Sequence, residues 1–242
     1  MTRVKICGLM NEKDVELCVR AGVHTVGFVV DYPVPVPWNI TKTEAAKLIA
    51  KVPPFVSSCV VTGGAVDRII SVAKDTRPNI IQLHYQETLP EVRELAQRLS
   101  LMGIKTIKAL RIDREGKCAF ELSDPVMAAR ALAETKISAL LVDSYTASRP
   151  GGTGVTVDLA TFKAIREAVT IPVILAGGLN PDNVQQIIQQ TNPFAIDVLT
   201  GVEKSPGRKD QTKVSRLITS LGQMGQGDRS PVPANLTGKT TQ

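Results

Sequence analysis

Aromatic residues, histidines and paired cysteines are all scarce in this chain of 242 residues. Phe, Trp and Tyr together make up 4% of it, and the two histidines, His24 and His84, lie far apart in the sequence. The four cysteines show no CxxC spacing, which excludes the usual signs of a zinc site or a disulfide framework. We therefore expect no bound metal.

Long hydrophobic runs are absent as well. No apolar segment approaches the roughly 20 residues of a membrane-spanning helix, and the N-terminus lacks a signal-peptide pattern. We expect a cytoplasmic protein with no membrane partner. The net charge is +6, but the Lys and Arg residues are scattered and stacking platforms are missing, so we expect no nucleic-acid partner. An anionic small molecule is the favoured substrate.

Short apolar segments alternate regularly with segments of helical periodicity, eight of each. The predicted strands are Arg3–Cys7, Thr25–Val30, Phe55–Val61, Ile80–His84, Ile104–Leu110, Ala139–Val142, Ile171–Ala176 and Ala195–Leu199. Such alternation over one domain length predicts an α/β protein, a single (β/α)8 TIM barrel over residues 1–221. A doubly wound sheet is the alternative. Residues 222–242 are rich in Gly, Ser, Pro and Thr, and we expect a disordered tail there.

The last two predicted strands both end in glycine. Gly177-Gly178 follows the first and Thr200-Gly201 the second. Backbone amides without nearby side chains approach a ligand closely, and barrels frequently bind phosphate in the loops after strands seven and eight. These two loops are therefore a candidate phosphate site, although glycines that only turn the chain would give the same pattern.

Barrel enzymes place catalytic groups at the carboxyl ends of their strands. Cys7 ends the first strand, and Lys5 points to the same side by the two-residue period. Asp143 ends an otherwise apolar strand, so its carboxylate must be hydrogen-bonded or border a wet site. The two could form an acid/base pair, but a buried structural cysteine and a loop-bracing aspartate remain open.

Two further polar residues accompany apolar strands. Asp197 lies within AIDVLT and faces away from Ile196 and Val198, so we expect it to point into the barrel; it could bind sugar hydroxyls or brace the barrel. His84 ends the fourth strand without a second histidine to partner it. It is a secondary candidate for the site.

Together these segments resemble phosphoribosylanthranilate isomerase, a (β/α)8 enzyme of tryptophan biosynthesis. The resemblance covers nearly all of Arg3–Leu221. The motifs that carry it are KICG at Lys5–Gly8, GF at Gly27-Phe28, QLH at Gln82–His84, LLVDS at Leu140–Ser144, GGTG at Gly151–Gly154, LAGGLNPDNV at Leu175–Val184 and IDVLTGVEKSPGRKD at Ile196–Asp210.

The resemblance implies an Amadori rearrangement of N-(5-phosphoribosyl)anthranilate without metal or cofactor. It assigns Cys7 as general base and Asp143 as general acid. Substrate and phosphate binding fall to the remaining candidates, Lys5, His84, Gly152, Gly154, Gly177, Gly178, Asp197, Thr200 and Gly201. A related isomerase for another phosphoribosylamine and a non-catalytic phosphosugar-binding barrel are the alternative functions. A homodimer is also left open.

The sequence departs from the family at the end expected to hold anthranilate. Trp38 lies where the family carries an arginine for the anthranilate carboxylate, and Tyr85 replaces the glycine of QLHG. Leu199-Thr200 replaces a serine pair. Tryptophan can cover the anthranilate ring but cannot pair with its carboxylate. The sequence leaves open whether Arg111 or Arg149 takes over that contact.

Overall fold

The computed structural model describes residues 2–113, 115–144 and 158–222. Within these ranges, eight parallel barrel strands alternate with eight α-helices. The barrel strands are β1 Arg3–Ile6, β2 Thr25–Val30, β3 Ser57–Thr62, β4 Ile80–Leu83, β5 Lys105–Ile112, β6 Ala139–Ser144, β7 Val173–Leu175 and β8 Ala195–Val198. The helices are α1 Glu12–Ala21, α2 Lys42–Ile49, α3 Val66–Thr76, α4 Leu89–Leu101, α5 Pro125–Ala133, α6 Leu159–Ala168, α7 Val184–Thr191 and α8 Gln211–Gly222.

Strand β1 closes the sheet. It pairs in parallel with β2 on one side, with Lys5 opposite Thr25, and with β8 on the other, with Lys5 opposite Asp197. A sheet whose first and last strands pair has no open edge. The predicted (β/α)8 barrel is confirmed, and the doubly wound alternative is wrong.

Local signals set many of the helix ends. The Asn11 side chain accepts a hydrogen bond from the Asp14 amide at the start of α1, and Gly22 ends that helix in the left-handed conformation. Asp124 and Asp158 cap helices α5 and α6 in the same way, since their side chains accept from the amides of Met127 and Thr161. Several strands differ from prediction by one or two residues, so Cys7 and His84 lie just beyond β1 and β4.

Two small features were not predicted. The proline-rich segment after β2 leads into a two-residue strand, Asn39–Ile40, which pairs in parallel with β2. After β8, a 3₁₀ turn and a hairpin of Glu203–Ser205 with Arg208–Lys209 precede α8. Strands of two or three residues are too short to show a periodic hydrophobic pattern.

The apolar core lies mainly between the strands and the surrounding helices. The side chains of Val4, Ile6, Phe28 and Leu140 pack there. The barrel interior is filled largely by small or medium-sized side chains and by polar groups described below. Among the described residues, no helix has the length and hydropathy needed to cross a membrane.

A buried ion pair fastens the loop after β4 to β5. Lys108 Nζ lies 2.6 Å from Glu87 Oε2 and donates to the Tyr85 carbonyl oxygen at 3.1 Å. Glu87 also accepts hydrogen bonds from the amides of Gly64 and Tyr85. Both charged side chains are fully buried, and burial lowers the pKa of Lys108 against the opposing charge of Glu87. This pair therefore fixes two loops at the carboxyl end of the barrel.

Replacing Glu87 with Ala should lower the free energy of unfolding by about 3–5 kcal/mol, because the Lys108 ammonium would remain buried without its partner. Urea unfolding followed by circular dichroism measures the loss. The double variant Glu87→Ala/Lys108→Met should regain part of it, since Met leaves no buried charge. A loss below about 1 kcal/mol in the single variant would contradict a tightly buried pair.

Candidate active site

One cavity opens at the carboxyl ends of the strands. Of the candidate residues, it is lined by Cys7, His84, Asp143, Gly177, Gly178, Asp197, Thr200 and Gly201. The sequence separates these residues by up to 194 positions, and barrel closure brings them together. Lys5 lies below, within the barrel. Gly152, Gly154 and Arg149 fall outside the described residues.

Cys7 lies between the end of β1 and Gly8, where its thiol is buried at the base of the cavity. Burial raises its pKa, while the neighbouring Lys5 ammonium opposes the rise by its charge and by a hydrogen bond. Gly27 on β2 leaves room for both side chains, since a Cβ there would lie 2.9 Å from Cys7 Sγ and 3.0 Å from Lys5 Cε. The thiol is thus held beside a cation that favours its ionised form.

Lys5 and Asp197 form a buried ion pair across the β1–β8 junction. Lys5 Nζ lies 2.6 Å from Asp197 Oδ2. Burial would lower the pKa of Lys5, but the charges of Asp197, Cys7 and Cys59 and the hydrogen bond to Asp197 together outweigh it and leave the pKa raised. Asp197 Oδ1 is buried and has no hydrogen-bond partner among the described residues. Because Asp197 lines the cavity, this oxygen is available to a bound hydroxyl.

Asp143 lies on β6, beside Arg111 on β5 in the sheet register. Burial, reinforced by the charge of Asp197, raises the pKa of Asp143 to about 7. The Ser144 amide and the charges of Arg111 and Lys5 oppose the rise. A carboxyl group with such a pKa is partly protonated at neutral pH and can therefore donate a proton.

His84 contacts Asp143 from the adjacent side of the cavity. Its Nε2 lies 3.5 Å from Asp143 Oδ2, and its Nδ1 lies 3.1 Å from Gln82 Nε2. Burial lowers the pKa of His84 to about 3, assisted by the charges of Arg111, Lys108 and Lys5. The imidazole is therefore neutral at physiological pH, and its 3.5 Å approach to Asp143 is a polar contact rather than an ion pair.

The loops after β7 and β8 meet at glycines. A Cβ on Gly201 would lie 1.9 Å from the Leu179 carbonyl oxygen, and one on Gly177 would lie 2.5 Å from Ser144 Oγ. Gly177 and Gly178 both have positive φ, 89° and 62°. Only glycine fits these contacts and conformations without displacement of the backbone. Thr200 and Gly201 begin a 3₁₀ turn at the cavity.

Trp38 is held in one position by a hydrogen bond and by packing. Its indole Nε1 donates to Glu203 Oε1 at 3.0 Å, and the ring packs against Gly8. Lys209 Nζ donates to the same Glu203 oxygen at 2.9 Å and to the Leu199 carbonyl at 3.2 Å. This contact joins the loop after β2 to the segment that follows β8.

Apolar and aromatic side chains form the cavity wall on the Trp38 side. Tyr32, Trp38, Val29 and Val61 cluster with Cys7, and Tyr85 packs edge-on against Tyr32 with ring centroids 6.1 Å apart. The Tyr32 hydroxyl donates to the His84 carbonyl oxygen at 2.8 Å. This wall is suited to the face of an aromatic ring.

Further residues of the site were missed from the sequence, and three of them are polar groups discussed here. Gln82 and Ser144 line the cavity, and Glu203 anchors Trp38. Gln82 stands two positions before His84 on an apolar strand, so the two-residue period could have placed it on the same side. Glu203 gave no comparable signal, because its strand has only three residues. Among the described residues, no cluster of His, Cys, Asp and Glu could hold a metal ion.

Comparison with known proteins agrees with this geometry. A family model described as N-(5'phosphoribosyl)anthranilate (PRA) isomerase matches residues 4–220. The N-(5'-phosphoribosyl)anthranilate isomerase of Halorubrum lacusprofundi is 36% identical over 224 residues, which is 92% of this chain and 97% of the relative.

Solved structures of the same family have the same fold. The phosphoribosyl anthranilate isomerase of Thermotoga maritima superposes with a TM-score of 0.77 at 31% identity, over 92% of this chain and all of that one. A structure of the enzyme with reduced 1-(o-carboxyphenylamino)-1-deoxyribulose 5-phosphate gives 0.74 at 30% identity over the same shares. The chain therefore belongs to the N-(5'-phosphoribosyl)anthranilate isomerase family.

Proposed function

We propose that Cys7 and Asp143 carry out the isomerisation that defines this family. The reaction converts N-(5-phosphoribosyl)anthranilate to 1-(2-carboxyphenylamino)-1-deoxyribulose 5-phosphate. The furanose ring oxygen must gain a proton for the ring to open, and carbon two must then lose one. The observation that carries the proposal is that Cys7 and Asp143 line the same cavity as the glycine loops after β7 and β8.

Asp143 is the proton donor to the ring oxygen. The raised pKa of its buried carboxyl group keeps a substantial protonated fraction at neutral pH. Protonation releases the ring oxygen as a hydroxyl and leaves an iminium ion at carbon one. The iminium withdraws electrons from carbon two and acidifies its proton.

Cys7 removes the proton from carbon two as the thiolate. Lys5 stabilises that thiolate by charge and hydrogen bonding, and is itself held by Asp197. The resulting enolamine becomes the ketone of the product when carbon one gains a proton and the hydroxyl group on carbon two loses one. Asp143 and Cys7 thus take opposite proton-transfer roles in one pocket.

The glycine loops hold the phosphate end of the substrate. Backbone amides of Gly177, Gly178 and Gly201 and the side chain of Thr200 form the phosphate site, and Asp197 Oδ1 accepts from a sugar hydroxyl. The wall containing Trp38 receives the anthranilate ring. Because Trp38 is bound to Glu203, it provides a fixed apolar surface in place of the family's arginine.

A homodimer and a cytoplasmic location are further proposals. A dimeric phosphoribosylanthranilate isomerase occurs in Thermotoga maritima, which supports testing this chain by sedimentation equilibrium. The absence of a nucleic-acid partner stays a prediction from the scattered basic charge.

Substituting either member of the acid/base pair should abolish most turnover while the ligand still binds. Cys7→Ala and Asp143→Asn should each lower kcat at least about a hundredfold, the usual scale for loss of a general acid or base. Steady-state kinetics measures the loss, and the wild type should restore growth without tryptophan to a strain lacking the isomerase. Turnover within a few-fold of wild type in either variant would remove that residue from the mechanism.

The pH profile of kcat/KM should reflect a base that is mostly protonated and an acid that titrates near neutrality. Below about pH 7, Asp143 is protonated and activity rises with the Cys7 thiolate fraction. Above pH 7, loss of the Asp143 proton offsets further thiolate formation, so the profile flattens until the raised pKa of Cys7 is passed. It then falls.

Stopped assays from pH 5.5 to 9.5 test this profile. The substrate phosphate titrates near pH 6, so the Asp143→Glu variant is measured in parallel, because a limb due to the phosphate would not move in it. A decline in kcat/KM that begins at pH 7, without a plateau, would contradict the assignment of a high pKa to Cys7.

Closing the space at Gly201 should weaken phosphate binding. The added methyl group in Gly201→Ala would meet the Leu179 carbonyl and push the two loops apart, so KM should rise about tenfold or more. Gly222→Ala is the matched control, since a Cβ there meets nothing within 4 Å. An unchanged KM, or phosphate bound in a crystal at the opposite barrel face with this site empty, would contradict the assignment.

A further inference from the structure

A row of polar side chains crosses the barrel interior below Asp143. Cys59 Sγ on β3 lies 3.9 Å from Gln82 Oε1 on β4. Gln82 Nε2 lies 3.1 Å from His84 Nδ1, and His84 Nε2 lies 3.5 Å from Asp143 Oδ2. Four side chains from three strands therefore lie one after another across the interior. The last of them is Asp143, the residue proposed as the general acid.

The direction of the Gln82 amide follows from the cysteine. Gln82 and Cys59 are both almost completely buried, so both ends of the amide need partners within the barrel. Burial raises the pKa of Cys59 to about 12, so its thiol keeps its proton and donates. The Gln82 oxygen accepts that proton, which turns the amide nitrogen towards His84.

The Gln82 amide in turn selects the tautomer of His84. An amide nitrogen only donates, so Nδ1 of the neutral imidazole must accept, and the ring proton lies on Nε2. Nε2 is the atom that faces Asp143. The ring therefore presents its protonated nitrogen to Asp143 Oδ2, 3.5 Å away.

We propose that Gln82 and His84 are positioning residues for proton donation by Asp143. Gln82 holds His84 as the Nε2–H tautomer, and His84 occupies Asp143 Oδ2, which leaves Oδ1 to carry the acid proton to the substrate ring oxygen. The inference rests on the proposed role of Asp143 as general acid, and it assigns two residues that never touch the transferred proton.

The neutrality of His84 is essential to this arrangement. A cationic imidazole would form an ion pair with Asp143 and hold it ionised, so it could not donate a proton. Lys5 and Arg111 also face Asp143 with positive charge, and Asp197 faces it with negative charge. A neutral donor orients the carboxyl group without adding a third cation.

The first test observes the tautomer directly in the wild-type protein. The chain has two histidines, so long-range ¹⁵N–¹H correlation spectra contain two imidazole patterns, and a His24→Gln variant assigns them. We expect His84 to be the neutral Nε2–H form throughout pH 5.5–8.5. The Nδ1–H form, or a cation at pH 7, would overturn the inference.

The second test removes the selecting amide. Gln82→Met has similar volume but no donor, so His84 should lose its single tautomer and kcat should fall about tenfold or more, with KM within about threefold. Loss of the N–H that His84 presents to Asp143 should also move the break in the kcat/KM profile above pH 7, because a nearby donor favours the ionised carboxylate. Gln186→Met, on the exposed face of α7, is the matched control and should behave as wild type.

The outcomes separate this inference from the proposed function. Wild-type kcat in Gln82→Met, or a change confined to KM, would overturn positioning and make Gln82 a substrate-binding residue. If Asp143→Asn kept wild-type turnover, the general-acid assignment itself would fail, whatever the tautomer of His84. An inactive Asp143→Asn together with an Nδ1–H His84 would overturn the positioning role alone.

Discussion

Burial of charge at the carboxyl end of a closed barrel is the constraint on which this site depends. A charged group removed from water must be paired, neutralised or offered to a ligand. Three buried lysines in the described part of the chain, Lys5, Lys108 and Lys209, each meet a carboxylate within 3 Å. These pairs fix the strands and loops that surround the cavity.

Asp143 is the exception to this pairing. His84, whose Nε2 lies 3.5 Å from Asp143 Oδ2, is kept neutral by burial and by the surrounding cations. Burial and the charge of Asp197 raise the pKa of Asp143 to about 7, where a carboxyl group can act as an acid. Cys7 lies under the opposite influence, since Lys5 favours its thiolate while burial opposes it. In the proposed mechanism, the same interior prepares Asp143 to release a proton and Cys7 to accept one.

Hydrogen bonds within the protein link the aromatic wall of the cavity to the loop after β8. Glu203 receives hydrogen bonds from Trp38 in the loop after β2 and from Lys209 in the segment after β8. Lys209 also holds the Leu199 carbonyl next to Thr200. The aromatic wall and the phosphate loops are therefore parts of one hydrogen-bonded unit. An arginine in place of Trp38 would meet Glu203 as well as any substrate carboxylate.

The sequence by itself determined the order of the elements, because alternating apolar segments with glycine and capping residues between them carry local periodic signals. It also identified Cys7, Asp143 and the glycines of the last two loops as candidate site residues, since each lies at the end of a strand. A buried polar side chain or a run of glycine at that position indicates a binding or catalytic role. Only the tertiary structure decided how those residues act. The Lys5–Asp197 pair, the direction of the Gln82 amide and the anchoring of Trp38 by Glu203 join positions 165 or more apart, or depend on which atom of a side chain faces which neighbour. Barrel closure creates those contacts, and the resulting burial and pairing set the protonation state of each group. No local pattern in the sequence indicates contacts between residues so far apart.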